Sequence, residues 1–123
     1  MYTLDTNAII YYLKSEAAAV SVLEPAFAQD IALYVSAITE LELFSSPALT
    51  DEDISAISQL LTSVAIIPVG SRLARFAGYL RRAYRIKTAD SAIAATSLIT
   101  HTTPLTRNTH DFQHIPTLSL MPI

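Results

Sequence analysis

The amino-acid sequence predicts a doubly wound α/β fold with a mainly parallel central sheet. Short runs rich in β-branched and aromatic residues alternate with longer stretches whose apolar residues recur every three or four positions. One of the short runs, Val64 to Val69, is almost continuously apolar, as expected for a strand covered on both faces. Right-handed crossovers would place the strand ends and the following helix starts along one edge of the sheet.

Length and composition favour one domain spanning residues 1–123. The chain has no cysteine, which excludes disulfides and thiolate metal sites. Apolar residues make up 51% and charged residues only 15%, so we expect a partner to cover part of the apolar surface. No apolar run has membrane-spanning length and no basic region precedes an apolar N-terminal core. We therefore expect a soluble cytoplasmic protein without a membrane partner.

The first half of the chain contains two predicted strands and three predicted helical stretches. Tyr2 to Leu4 forms the first strand, and a helix follows Asp5. Glu16 to Gln29 is predicted to be helical, with a kink or break at Pro25. The second strand is expected at 32–36, followed by a helix at 37–46.

The second half repeats the alternation. Thr50 is predicted to cap a helix whose first turn is acidic, and the run from Val64 is the third strand. A basic amphipathic helix follows, with a buried stripe of Leu73, Phe76, Ala77 and Leu80. Thr88 is expected to cap the next helix. Shorter elements complete the chain: a strand at 104–106, a loop or single helical turn at 107–114, and a strand at 117–121.

Acidic residues fall where strands end and helices begin. Asp5 ends the first strand, Asp90 lies in the first turn of a late helix, and Asp111 follows the fourth strand. Glu40 and Glu42 both follow the second strand, and they point about 200° apart on a helix, so only one faces the site. Asp5 by itself is also consistent with a simple helix cap. The remaining acids are expected to be solvated: Glu16, Glu24, Asp30, Asp51, Glu52 and Asp53.

Carboxylates gathered at one rim repel one another unless a cation neutralises them. Mg²⁺ or Mn²⁺ is the natural cation for an all-oxygen site. Such an ion can ionise a water and stabilise charge on a phosphodiester under attack. The acid pattern therefore predicts a metal-dependent phosphodiesterase.

Four segments resemble the four motifs of the PIN-domain family, and more narrowly those of VapC-type ribonuclease toxins: residues 2–10, 35–43, 87–95 and 105–112. The resemblance covers nearly the whole chain and keeps the family order. It implies an α/β/α sandwich and a Mg²⁺- or Mn²⁺-dependent endoribonuclease. It also implies a homodimer inhibited by a cognate antitoxin protein.

The resemblance assigns roles to individual residues. Asp5, Glu42 and Asp90 match the first three catalytic and metal-binding acids. At the fourth motif the chain has an amide at Asn108 and an acid at Asp111, so Asp111 is taken as the fourth acid and Asn108 as a helper. Thr6, Asn7 and Thr106 match positions that orient an acid or contact substrate, although capping and turn hydrogen bonds explain them equally well.

Basic residues are concentrated in one segment. Six of the eight Lys and Arg residues lie between residues 72 and 87, and no acid occurs from residue 54 to 89. This segment is either a solvated helix face or an RNA-facing patch. In the second case the RNA backbone would contact Arg72, Arg75, Arg82, Arg85 and Lys87. Tyr11, Tyr12, Tyr79 and Tyr84 could stack on RNA bases, although packing in the core or at a dimer interface is the more common use of tyrosine and is favoured here.

Three other functions compete with the nuclease hypothesis. An aspartate after the first strand also occurs in haloacid-dehalogenase-like phosphatases, but these need a second aspartate where this chain has Asn7. A zinc site at His110 and His114 is disfavoured because closed zinc sites need four N or S ligands. A PIN-like RNA- or protein-binding module with a decayed site remains the main alternative, since the fourth motif departs from the family pattern.

Overall fold

The chain folds around a five-stranded, all-parallel sheet with strand order β3-β2-β1-β4-β5. The computed structural model describes all residues, 1–123. The strands are β1 (Tyr2–Leu4), β2 (Leu33–Ser36), β3 (Ala65–Ile67), β4 (Thr103–Thr106) and β5 (Met121–Pro122). The helices are α1 (Thr6–Leu13), α2 (Ala17–Ala28), α3 (Ala37–Leu43), α4 (Asp51–Leu61), α5 (Ser71–Tyr84), α6 (Thr88–Thr100) and α7 (Thr109–Phe112). The predicted α/β fold with a parallel sheet is confirmed.

Two apolar cores lie on the two faces of the sheet, which gives three layers. One core contains Leu4, Val35 and Leu105 together with side chains from α1, α2 and α4. The other is formed mainly by α5 and α6, with Phe112 and Ile115. Because each face of the sheet is covered by helices, the carboxyl ends of the strands and the loops that follow them remain open at one edge.

The strand order creates a switch point beside β1. The chain runs from β1 to β2 and β3 on one side and then crosses to β4 on the other side. Leu4, the last residue of β1, pairs with Leu105, and β4 ends one residue later at Thr106. In open α/β sheets the crevice outside such a switch point is the usual ligand site.

The third strand differs from the prediction. It lies at an edge of the sheet, and Ala65 and Ile66 are exposed rather than covered on both faces. An apolar run shows that a segment suits a strand, but it does not give the strand's place in the sheet.

Of the predicted kink or break at Pro25, the break does not occur, because α2 runs unbroken from Ala17 to Ala28. Pro25 is exposed, so its ring faces solvent and leaves the buried side of the helix intact. Thr88 is the first helical residue of α6 and not its cap. The backbone N–H of Ser91 bonds to the Lys87 carbonyl at 2.9 Å, so the helix starts one residue earlier.

Several predicted boundaries shift by a few residues. Helix α3 ends at Leu43 rather than Ser46, and β5 overlaps the predicted last strand only at Met121. Phe76 of the α5 stripe is half-buried rather than buried. No helix is both long enough and apolar enough to cross a membrane.

Candidate active site

The candidate site lies at the carboxyl ends of β1, β2 and β4. Asp5 follows β1 directly and is 5% exposed. Asp5 occupies the N-cap position of α1, and its carboxylate lies close to the backbone N–H groups of Thr6 and Asn7. The Thr106 hydroxyl, at the end of β4, donates to Asp5 Oδ2 at 2.7 Å. The neighbouring strands β1 and β4 thus hold this acid between them.

Thr106 also organises the loop after β4. Its hydroxyl accepts a hydrogen bond from the Asn108 backbone N–H at 2.9 Å. The Asn108 side-chain amide in turn donates to Asp111 Oδ2 at 2.6 Å. The amide and the acid of the fourth motif therefore act as a bonded pair, with Asn108 orienting Asp111.

Glu42 extends from α3 toward the same rim. The Thr6 hydroxyl donates to Glu42 Oε1 at 2.6 Å, which links the first turn of α1 to α3. Glu42 is exposed, and its negative charge contributes to the raised pKa of both Asp5 and Asp90. Glu40 is half-buried rather than solvent-facing. Of the two glutamates, Glu42 is the one that faces the site.

Asp90 is the most perturbed acid of the chain. It lies in the first turn of α6 and is 8% exposed. Burial, followed by the negative charges of Asp5 and Asp111, raises the pKa of Asp90 to about 6, although Lys87 opposes the shift. Burial also raises the pKa of Asp5, more than the Thr106 hydrogen bond and the nearby backbone N–H groups of Thr6 and Asn7 lower it.

Acids from three other segments lie near Asp90. Asp5, Glu42 and Asp111 are all near enough to Asp90 to raise its pKa. No three Asp, Glu or His side chains are close enough together to hold one ion as they stand. Mg²⁺ keeps several waters and is usually bound through one or two carboxylates, so an open, all-oxygen rim fits it chemically. Buried, mutually repelling carboxylates also favour a bound cation.

Other predicted residues lie near the site or outside it. Asn7 is exposed on the first turn of α1. Lys87 caps α6 three residues before Asp90. The four arginines proposed for RNA contact are all exposed on α5 or at its end: Arg72, Arg75, Arg82 and Arg85.

Sequence reasoning missed the role of Arg107. Its guanidinium lies 3.9 Å from the Tyr11 ring centroid and pairs with Glu16 at 3.0 Å. Its Nε donates to the Ile123 carbonyl at 3.1 Å. Arg107 therefore ties the loop that carries Asn108 to α1 and to the C-terminus, and Glu16 is an ion-pair partner rather than a freely solvated charge. The adjacency of Arg107 to Thr106 and Asn108 was the only available signal.

Comparisons with known proteins agree with this architecture. The model of the PIN-domain family matches residues 2–118. A chain of a toxin-antitoxin complex from Klebsiella pneumoniae superposes with a TM-score of 0.83 at 27% identity, over 100% of both chains. A chain of VapBC-1 from nontypeable Haemophilus influenzae superposes with a TM-score of 0.74 at 26% identity, and the match covers 98% of this chain and 96% of that chain.

FitAcB from Neisseria gonorrhoeae gives a TM-score of 0.77 at 27% identity, covering 99% of this chain and 98% of that chain. No curated protein sequence matches the chain. The family match spans all four acid-bearing segments, and the structural neighbours extend over almost the full chain. The chain therefore belongs to the PIN-domain family, as a domain of the VapC type.

Proposed function

We propose that this protein is a Mg²⁺- or Mn²⁺-dependent endoribonuclease and the toxin of a toxin-antitoxin pair. The observation that carries the proposal is the convergence of Asp5, Glu42, Asp90 and Asp111 on one rim at the switch point of the sheet. Membership of the PIN-domain family supports it, as do structural neighbours that come from toxin-antitoxin complexes.

The residues of the rim divide the work. Asp5 and Asp90 are the most buried acids and would hold the divalent ion, with Glu42 and Asp111 completing the negative rim. When bound, the ion supplies Lewis-acid stabilisation and an ionised water for attack at phosphorus. Thr106 and Thr6 fix Asp5 and Glu42 by hydrogen bonds, and Asn108 fixes Asp111. Hydrolysis would leave a 5′-phosphate and a 3′-hydroxyl.

The basic segment next to the rim would bind the RNA backbone. Lys87 lies three residues before Asp90, and α5, which carries exposed arginines, ends at Tyr84, three residues before Lys87. Arg72, Arg75, Arg82, Arg85 and Lys87 supply positive charge on a chain whose net charge is −3. This uneven distribution brings phosphates toward the acids, which would otherwise repel them.

Partner proteins would cover the apolar surface. A groove of about 320 Å³ lies between α1, α3 and α4, and its apolar lining includes Ile10, Leu13, Leu43 and Leu49. Glu42 also lines this groove, so an antitoxin segment seated there would block the acid rim. Leu41 is 61% exposed and Phe44 39% exposed on α3, and they support a homodimer contact beside the site.

One observation favours a second candidate, a PIN-like RNA- or protein-binding module without catalysis. No three acid or histidine side chains stand close enough to form a ready-made ligand set. Under this alternative Mn²⁺ would neither stabilise the protein nor activate cleavage.

The distinguishing experiment is cleavage of a mixed RNA pool with Mn²⁺. We expect wild-type protein to cut the pool and Asp5→Asn to lose at least about 100-fold in rate, since Asp5 would be an ion ligand. Asp30→Asn is the matched control, because Asp30 is an exposed acid just before β2, at the opposite edge of the sheet. Its left-handed backbone (φ 51°) also tolerates asparagine. Equal cutting by wild type and Asp5→Asn would refute the catalytic assignment.

A further inference from the structure

We propose that the outer face of α5 binds the single-stranded RNA that leads into the active site, and that one base stacks on Tyr79. This inference rests on the proposed ribonuclease function and deepens it. The residues concerned are Arg72, Arg75, Tyr79 and Arg82, here called the α5 stripe. They are spaced by three and four positions, so they lie along one side of the helix, and all four are exposed.

The arginines of the α5 stripe are free to bind an anion. The only ion pair in the chain joins Arg107 to Glu16, so none of the three has a carboxylate partner. No acid occurs in the sequence from residue 54 to 89. The stripe spans about 15 Å from Arg72 to Arg82. Guanidinium groups without internal partners are suited to a row of phosphates.

Tyr79 supplies a feature that phosphate binding alone does not need. It is 48% exposed, whereas the other five tyrosines are only partly exposed. The Phe76 ring lies nearly parallel to it, at 8° with centroids 6.5 Å apart. The Arg82 guanidinium lies 5.9 Å from the Tyr79 ring centroid. An exposed aromatic ring among arginines is the arrangement by which proteins hold single-stranded nucleic acid.

The stripe is directed toward the catalytic rim. Helix α5 ends at Tyr84, and Lys87 caps α6, whose first turn carries Asp90. An RNA strand that lies along α5 would therefore pass Lys87 before it reaches the acids. An acidic protein could match the arginines by charge, but an exposed ring between them matches bases as well as phosphates, so RNA fits the stripe better.

The test measures binding of a fluorescein-labelled oligoadenylate of about a dozen nucleotides. Fluorescence anisotropy reports the binding, in EDTA and at a series of salt concentrations. Tyr79→Ala should weaken binding about 5- to 30-fold with little change in salt dependence, and Tyr79→Phe should restore it. The plot of log affinity against log salt has a negative slope, and combining Arg75→Gln with Arg82→Gln should make it shallower by about 1.4. Arg81→Gln is the matched control, since it lies on the same helix about 160° around from Tyr79.

Each outcome decides the inference. The proposed RNA-binding role of the α5 stripe is wrong if wild-type protein fails to bind the oligonucleotide or if Tyr79→Ala binds like wild type. It is also wrong if Arg81→Gln weakens binding as much as the stripe variants do. Binding of an acidic protein, but not of RNA, to the α5 stripe would also contradict the inference. Binding in EDTA does not require catalysis, so the two proposals can fail independently. If the ribonuclease proposal alone is wrong, wild-type protein will bind the RNA but will not cut it with Mn²⁺.

Discussion

At the scale of single residues, the site is held by short polar side chains that each serve an acid. Thr106 is fully buried, donating to Asp5 and accepting from the Asn108 backbone. A buried hydroxyl with both functions used is costly to replace, because each partner would lose a hydrogen bond in a desolvated place. The four candidate acids follow from the resemblance to the family motifs. The pairing of Thr6 with Glu42 does not, since those residues are 36 positions apart.

The perturbed Asp90 gives a pH-dependent stability in protein without metal. Its folded-state pKa of about 6 lies above the ordinary value of 3.8, so the folded state binds this proton more tightly than the unfolded state. Stability should therefore fall as pH rises from about 4 through 6, by about 1 to 2 kcal/mol, and then level off. Urea unfolding in EDTA at a series of pH values measures this loss.

Asp90→Asn supplies the control for that profile. Asparagine removes the buried charge and its repulsion, so the variant should be more stable than wild type at pH 7.5 in EDTA. Its stability should fall less between about pH 4 and 6, where only the raised pKa of Asp5 still contributes. Mn²⁺ should stabilise wild type by mass action and stabilise the variant far less. A wild-type profile that stays flat or rises between pH 4 and 7 would contradict the burial and repulsion described for Asp90.

At the scale of helices and strands, the sequence predicted a boundary correctly where neighbouring residues supply both partners of the hydrogen bonds that define it. Thr50 accepts from the Asp53 N–H at 3.1 Å, and Asp53 accepts from the Thr50 N–H at 3.0 Å, which confirms the predicted start of α4. Tertiary context decided other cases. Thr88 could cap α6 in isolation, yet the helix starts one residue earlier, and the place of β3 depends on the sheet and not on its own residues.

The α4 cap allows a direct test of an element's local stability. Thr50→Ala removes one half of a reciprocal pair of hydrogen bonds and should lower the free energy of unfolding by about 1 kcal/mol. Ser58→Ala, exposed in the middle of α4, should be neutral or slightly stabilising because alanine favours helix. Equal stability of Thr50→Ala and wild type in urea titrations would mean that the cap contributes nothing.

At the scale of the whole molecule, the connectivity of the sheet makes the site. Segments that begin at residues 5, 37 and 109 reach one rim because they follow the parallel neighbours β1, β2 and β4. Helix α6 instead leads into the start of β4, so its first turn, with Asp90, lies at the edge where the strands end. Alternating strands and helices predicted that edge from the sequence. The hydrogen-bond partners and the Arg107 contacts could not be predicted, because they depend on how distant loops meet.

The separation of charge also belongs to the whole fold. Acids occupy the rim, whereas the exposed arginines lie on α5, which packs against α6 on one side of the sheet. A negative pocket reached from a positive face is suited to bringing a polyanion to a cation-dependent centre. The sequence showed the two groups of charges, and the fold shows that one adjoins the other.

The central claim is that acids from four segments hold a divalent ion at this rim. Anomalous X-ray scattering from a crystal soaked in Mn²⁺ tests it most directly. We expect a strong peak within ligand distance of Asp5 and Asp90, near the Asn108–Asp111 pair, and its disappearance in Asp5→Asn. A saturating soak that shows no peak at the rim, or a peak only elsewhere on the molecule, would contradict the account.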